Sequence, residues 1–388
     1  MTTATIPVVD NHCHSLLREP VRERDTFRLL FTETMNPAFA EFVPGTAYYQ
    51  AALADLAEEL GVPWREGEIV SSRSAQDHET WISRLLRGAN LDTLLVDDGV
   101  PPAALSYTRD ELARLAGCSV GHVWRLEAAE PELIVAHDHF DDLVTAWRTA
   151  LQHLHRRGVV ALKSIAAYRT GLDVAPPDEA GAREGFSALR QVVEREGPLR
   201  LTHKPLLEYL LHEALAAASE QGIPIQFHTG YGDPDTDLRL GNPLHLRLLI
   251  EEPRYQGAPI VLLHESYPYT RQAAVLTALY PQVYADLSYA VPNIGRLELL
   301  AMTRAALGVA PISKLLYSSD GHSIPEHTWL GARRGRDIIP EVLNEMVARR
   351  ELPPDSIDSA AAAILRDNAR RIYRLDDAIL AHPPGSAV

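Results

Sequence analysis

Cysteine is nearly absent: Cys13 and Cys118 are the only two in 388 residues. Two thiols cannot build a disulfide framework, so stability must come from a packed core, for which 46% hydrophobic content is ample. Cys13 lies between two histidines, where oxidation would disturb that stretch, so a reducing cytoplasm is the expected compartment. No apolar run reaches the roughly 20 residues that span a bilayer. Met1–Val9 has no basic segment leading into an apolar one, so no export leader is expected. Positive charge is in deficit, with 37 Lys and Arg against 52 Asp and Glu, a net of -15. That argues against nucleic acid or an anionic membrane and leaves a small molecule as the expected partner. Internal repeats and low-complexity tracts are missing too. So is a glycine-rich phosphate turn after the first β-type run, where Asp10–Ser15 stands instead.

What is present is a rhythm. Short runs rich in Val, Ile, Leu, Tyr or Phe occur at Ile6–Asn11, Leu91–Asp97, Gly121–Leu126, Val159–Ser164, Pro224–His228, Pro259–His264, Val283–Leu287 and Lys314–Ser319. Most are continuously apolar, the pattern of strands buried on both faces of a parallel sheet. Helical periodicity separates most of them, at Phe140–Arg157, Pro205–Gln221, Pro268–Tyr280 and Ile294–Leu307. Repeated strand–helix alternation predicts an α/β fold, a (β/α)8 TIM barrel over residues 1–380. A long insertion after the first strand, residues 16–90, contains helical patterns at Ala47–Leu60 and Ala75–Arg87 and reads as a cap. Glu326–Leu375 is expected to be mostly helical, and Ala381–Val388 a frayed end.

Chemistry-bearing residues gather where these strands stop. His12-Cys13-His14 closes the first, and side chains two apart on a strand share a face. His228 ends the fifth, His264 the sixth, and Asp320 follows the eighth. Any one of these alone would read as an ordinary capping group. Barrel closure brings strand ends together, and this donor set suits zinc first, with manganese or iron as alternatives. Lys163 lies within the apolar fourth strand, where a lysine must be paired, neutral or modified. Three readings stay open: a carbamylated bridge between two ions, a partner for a substrate carboxylate, or a buried ion pair. His153, His155 and His212 lie in helical patterns and read as solvated; Asp97 and Asp98 read as helix caps.

The motifs His12-Cys13-His14, His228-Thr229-Gly230, His264 and Asp320 resemble the amidohydrolase superfamily, and within it the amidohydrolase-related family 2. The strings Ala161–Arg169 and Tyr317–Glu326 are similar to FluG-like proteins, in which such a domain is often joined to a glutamine-synthetase-like one. The resemblance implies a hydrolase with one or two divalent ions held by His12, His14, Lys163, His228, His264 and Asp320. It implies cleavage of a C–N bond, an amide and through the fused partner a γ-glutamyl one, in a small carboxylate-bearing substrate by metal-bound hydroxide. Asp320 and His264 are the implied catalytic pair. Arg125, Tyr168, Arg169, Glu265, Tyr267 and His322 surround the same strand ends and are the expected substrate contacts, arginine forks suiting carboxylates. Non-oxidative decarboxylation of a small carboxylic acid is the alternative activity, and a homodimer the default assembly.

Overall fold

In a computed structural model, which describes residues 6–196 and 200–376, eight strands succeed one another. They are β1 (Val8–Cys13), β2 (Leu91–Asp97), β3 (Ser119–Arg125), β4 (Val159–Ser164), β5 (Ile225–Phe227), β6 (Ile260–Leu262), β7 (Val283–Ser288) and β8 (Leu315–Ser318). They form one sheet in sequence order, with parallel pairing and helical crossovers, so the fold is the (β/α)8 barrel. Every residue of β1, β4, β5, β6 and β8 is buried, polar Asp10, Asn11, Lys163 and Gln226 among them, as strands covered on both faces are. The expected frayed end, Ala381–Val388, lies outside the described residues. Among the described residues no helix is long and apolar enough to cross a membrane.

The contacts divide the chain into two compact units. The first takes in the described residues up to Gly121, Gly232–Pro234 and Asp286–Arg371. Here β8 and β2 flank β1. Asn11 Nδ2 donates to the Tyr317 carbonyl at 2.8 Å, and the Asp320 amide donates to the His12 carbonyl at 3.0 Å. The insertion belongs to this unit and is helical, at Arg24–Leu29, Ala47–Leu60, Glu66–Ser74 and His78–Gly88. Thr46 and Asp77 cap two of these helices through their side chains, and Gly61 ends one at φ 68°. Phe27, Phe31 and Tyr49 pack edge to face and Tyr48 tilts against Phe31, with neighbouring ring centroids 5.0–6.3 Å apart. Buried Arg73 and Trp81, from the second half of the insertion, both bond to Glu326 at the start of the Pro325–Ala348 helix.

The second unit takes in His122–Tyr231, Asp235–Ala285 and the described residues from Ile372. It carries β4, β5 and β6 whole, with the last residues of β3 and the first of β7, and a continuous apolar core in which Trp147, Leu210, Phe227 and Leu262 are fully buried. Trp147 Nε1 finds a partner there, the Leu210 carbonyl at 3.0 Å. His212, expected on the surface, is buried instead. It faces the Tyr255 hydroxyl at 2.7 Å and the Ala175 carbonyl at 2.7 Å. The Lys204–Gln221 helix is buried on most of its circumference, so its one histidine finds its polar partners inside the protein.

Candidate metal centre

β1 runs two residues further than its apolar run implied, so His12 sits inside the strand and His14 just past it. The strand period turns both to one face, with ring centroids 5.0 Å apart at 81°. β8 lies alongside, and the turn after it brings in Asp320 at φ 56°, a left-handed conformation uncommon for a residue with a side chain. His12 Nε2 is 3.5 Å and His14 Nε2 3.7 Å from Asp320 Oδ1. Ligands about 2.1 Å from a tetrahedral zinc stand roughly 3.4 Å from one another, so this spacing fits an ion.

The tautomer of His14 agrees. Its Nδ1 lies 3.1 Å from the backbone carbonyl of Asp97, which can only accept. Nδ1 must therefore carry the hydrogen, which leaves the Nε2 lone pair facing Asp320. Asp97 does not cap a helix, as its sequence setting implied. It ends β2 fully buried, and its carboxylate shares a 4.8 Å cluster of donor atoms with His12 and His14. Asp98 pairs with Arg109 at the surface. Asp97 was legible by the rule that found His228, an ionisable residue closing an apolar strand. Further back on β1, Asp10 accepts from the Ser319 amide at 2.8 Å and from the Ser319 hydroxyl. Burial pushes its carboxyl up to about 7. These bonds tie the turn carrying Asp320 to the strand carrying His12.

His322, expected to touch substrate, is half-buried with its ring centroid 4.8 Å from that of His327. Burial lowers it to about 4, so it is neutral near pH 7 and offers a hydrogen bond, not a charge.

In the second unit, His228 and His264 are both buried with ring centroids 4.5 Å apart, and the Tyr168 ring centroid lies 4.2 Å from that of His228. The His228 amide donates to the Ser164 carbonyl at 3.0 Å, registering the end of β5 on β4. His264, Glu265 and Ser266 all have positive φ, at 63°, 48° and 51°. Three consecutive non-glycine residues in this region mark strain that the surroundings must hold in place. Gly230 completes the fit: a Cβ there would lie 2.2 Å from the Tyr267 carbonyl, so only glycine serves in His228-Thr229-Gly230. Lys163 is buried in β4, level with Arg125 on β3 and Gln226 on β5. Arg169 and Tyr267 are half-buried and Glu265 is buried. Glu130, which carried no sequence signal, is buried one helical turn beyond Glu127.

Comparison with known proteins identifies the family. The sequence profile of the amidohydrolase family matches residues 178–375, just over half of the chain. Protein fluG of Emericella nidulans is 30% identical over 417 aligned positions, covering 99% of this chain and 47% of that protein. The chain thus spans about half the length of that relative. A crystal structure from Lactobacillus casei ATCC 334, described as a metal-dependent hydrolase, superposes with a TM-score of 0.84 at 28% identity, covering 97% of each chain. Uronate isomerase of Thermotoga maritima shares the fold, with a TM-score of 0.70 at 15% identity over 95% of each chain. The chain belongs to the amidohydrolase family and is a FluG-like, metal-binding enzyme of that superfamily.

Proposed function

We propose that this enzyme cleaves the C–N bond of an amide, γ-glutamyl in the first instance, in a small carboxylate-bearing substrate. The observation that carries the reading is the convergence of His12 Nε2 and His14 Nε2 on Asp320 Oδ1 at 3.5 and 3.7 Å. By the family pattern His228 and His264 join that ligand set, with zinc as the first candidate and manganese or iron as alternatives. A bound divalent ion supplies Lewis acidity and lowers the pKa of water. Asp320 takes the proton of the attacking water and delivers it to the leaving nitrogen, a role open to a carboxylate held at the rim. His264 polarises the scissile carbonyl, or joins a second ion if Lys163 is carbamylated. Arg125 and Arg169 hold the substrate carboxylate, with Tyr168, Glu265, Tyr267 and neutral His322 closing around it. The γ-glutamyl assignment draws on the FluG-like pattern, in which a glutamine-synthetase-like partner makes the bond that a hydrolase would cut. A homodimer is the proposed assembly, to be checked by light scattering.

The test combines ion content with turnover. Protein purified without chelator should hold about one or two divalent ions per chain, as open and carboxylate-bridged sites do. His12→Ala and Asp320→Asn should lower that content, and Asp320→Asn should cut amide turnover by about 10²–10⁴. Two ions in the wild type, falling in Lys163→Ala, identify a bridging lysine; one in both frees Lys163 for substrate. Release of carbon dioxide from carboxylic acids, with no amide cleaved, would establish decarboxylation and overturn the hydrolase reading.

A further inference from the structure

The mechanism leaves Glu127 and Glu130 without a task. The Leu126–Ala136 helix begins at the end of β3, and both carboxyls turn inward from its first turns, at 5% and 1% exposure. Glu127 Oε1 accepts from the Ser164 hydroxyl at 2.7 Å, one residue beyond Lys163 on β4. Among the described residues, Glu127 Oε2, Glu130 Oε2 and Arg169 Nε are buried and have no hydrogen-bond partner. Native proteins rarely leave such atoms unmet, because burial removes the water that would otherwise bind them. Two acids stand between two guanidinium groups: Arg125 draws on Glu127, Glu127 repels Glu130, and Arg169 draws on Glu130.

We propose that this cluster reads an α-amino acid headgroup, with Glu127 and Glu130 receiving the ammonium and Arg169 the carboxylate. A bare cation would satisfy the two acids and be repelled by Arg169. A bare carboxylate would satisfy Arg169 and face two acids. A zwitterion with both groups on one carbon meets both demands and supplies N–H donors to the unmet carboxylate oxygens. Burial raises both glutamates, and an ammonium between them would favour their ionised forms. The proposal deepens the amide-hydrolase reading, on which it rests for the bond that is cut. It makes the substrate an amino acid amide with its α-amino group free.

Calorimetric titration of the zinc-loaded protein with L-glutamate, glutarate and γ-aminobutyrate tests it without turnover. Removing either headgroup charge should weaken binding about tenfold or more, since a site built around a polar group rejects the analogue lacking it. Glu130→Gln should narrow the gap between L-glutamate and glutarate, and Arg169→Gln that between L-glutamate and γ-aminobutyrate. Equal affinity for L-glutamate and glutarate, or no binding of any of the three to the wild type, overturns the proposal whatever the variants do. Selective L-glutamate binding with no amide cleaved would retain the headgroup site and discard the hydrolase. Amide cleavage with no such selectivity would do the reverse.

Discussion

Single residues at this site act through what they are forbidden to do. The Asp97 carbonyl cannot donate, so His14 must, and its other nitrogen is left for an ion. Gly230 cannot be replaced, because a Cβ would meet the Tyr267 carbonyl. His212 is held neutral by burial, which lowers its pKa below the usual 6.5. Its contribution to stability is therefore whole above the unfolded value and is lost as pH falls below it, because only the unfolded chain then takes up the proton. Replacement by glutamine should cost about 1–3 kcal/mol at pH 8 through the Tyr255 and Ala175 contacts. The gap between wild type and His212→Gln, measured by urea unfolding, should narrow at pH 5.5. A gap that widens on acidification would mean that His212 gains a proton in the folded state. Nothing in the residues around His212 announced its burial, because a histidine amid leucines and alanines suits a solvated stripe equally well.

Among elements, the helices of the insertion differ in how openly the sequence declares them. Ala47–Leu60 carries regular apolar spacing between a threonine cap and a terminal glycine, and the helix has the bounds that its sequence predicts. Glu66–Ser74 was missed, since Gly67 and three serines dilute its pattern and only Ile69, Val70 and Arg73 are buried. A tertiary bond secures it: Arg73 reaches Glu326, which also accepts from Trp81 of the next helix. Glu326→Gln should cost about 3–5 kcal/mol by leaving a buried guanidinium unpaired, and an Arg73→Met/Glu326→Leu double variant should recover much of that. Chemical denaturation of the three proteins checks this; equal loss in single and double variants would mean that packing, not the ion pair, matters there. The Pro325–Ala348 helix also depends on close approach to β8. A Cβ at Gly331 would stand 2.7 Å from Ser319 Cβ and 3.2 Å from the Tyr317 hydroxyl. Gly331→Ala should therefore destabilise by about 1–3 kcal/mol. It should also weaken ion binding at Asp320, one residue beyond Ser319, as equilibrium dialysis would reveal.

For the whole molecule, the expected link is between ion and fold. An ion bound only by the folded chain adds about 2.7 kcal/mol when present at a hundred times its Kd, so chelation should lower Tm and zinc restore it. An unchanged Tm after complete removal would separate the donor cluster from folding. Fold class was legible at this scale because barrel strands buried on both faces read as largely apolar runs, and ionisable residues gather where several of those runs stop. That pattern singles out His12, His14, His228, His264 and Asp320 as candidates, and the motifs around them resemble the amidohydrolase family to which the chain belongs. Tertiary structure decided what order cannot express. It set His12, His14 and Asp320 at ion-binding spacing, and it buried Asp97 at a strand end that looked like a helix cap. It left Glu127, Glu130 and Arg169 with unmet polar atoms. The reason is physical: apolar periodicity reports which face is buried, whereas the partner a buried polar atom meets depends on chain segments far away in sequence.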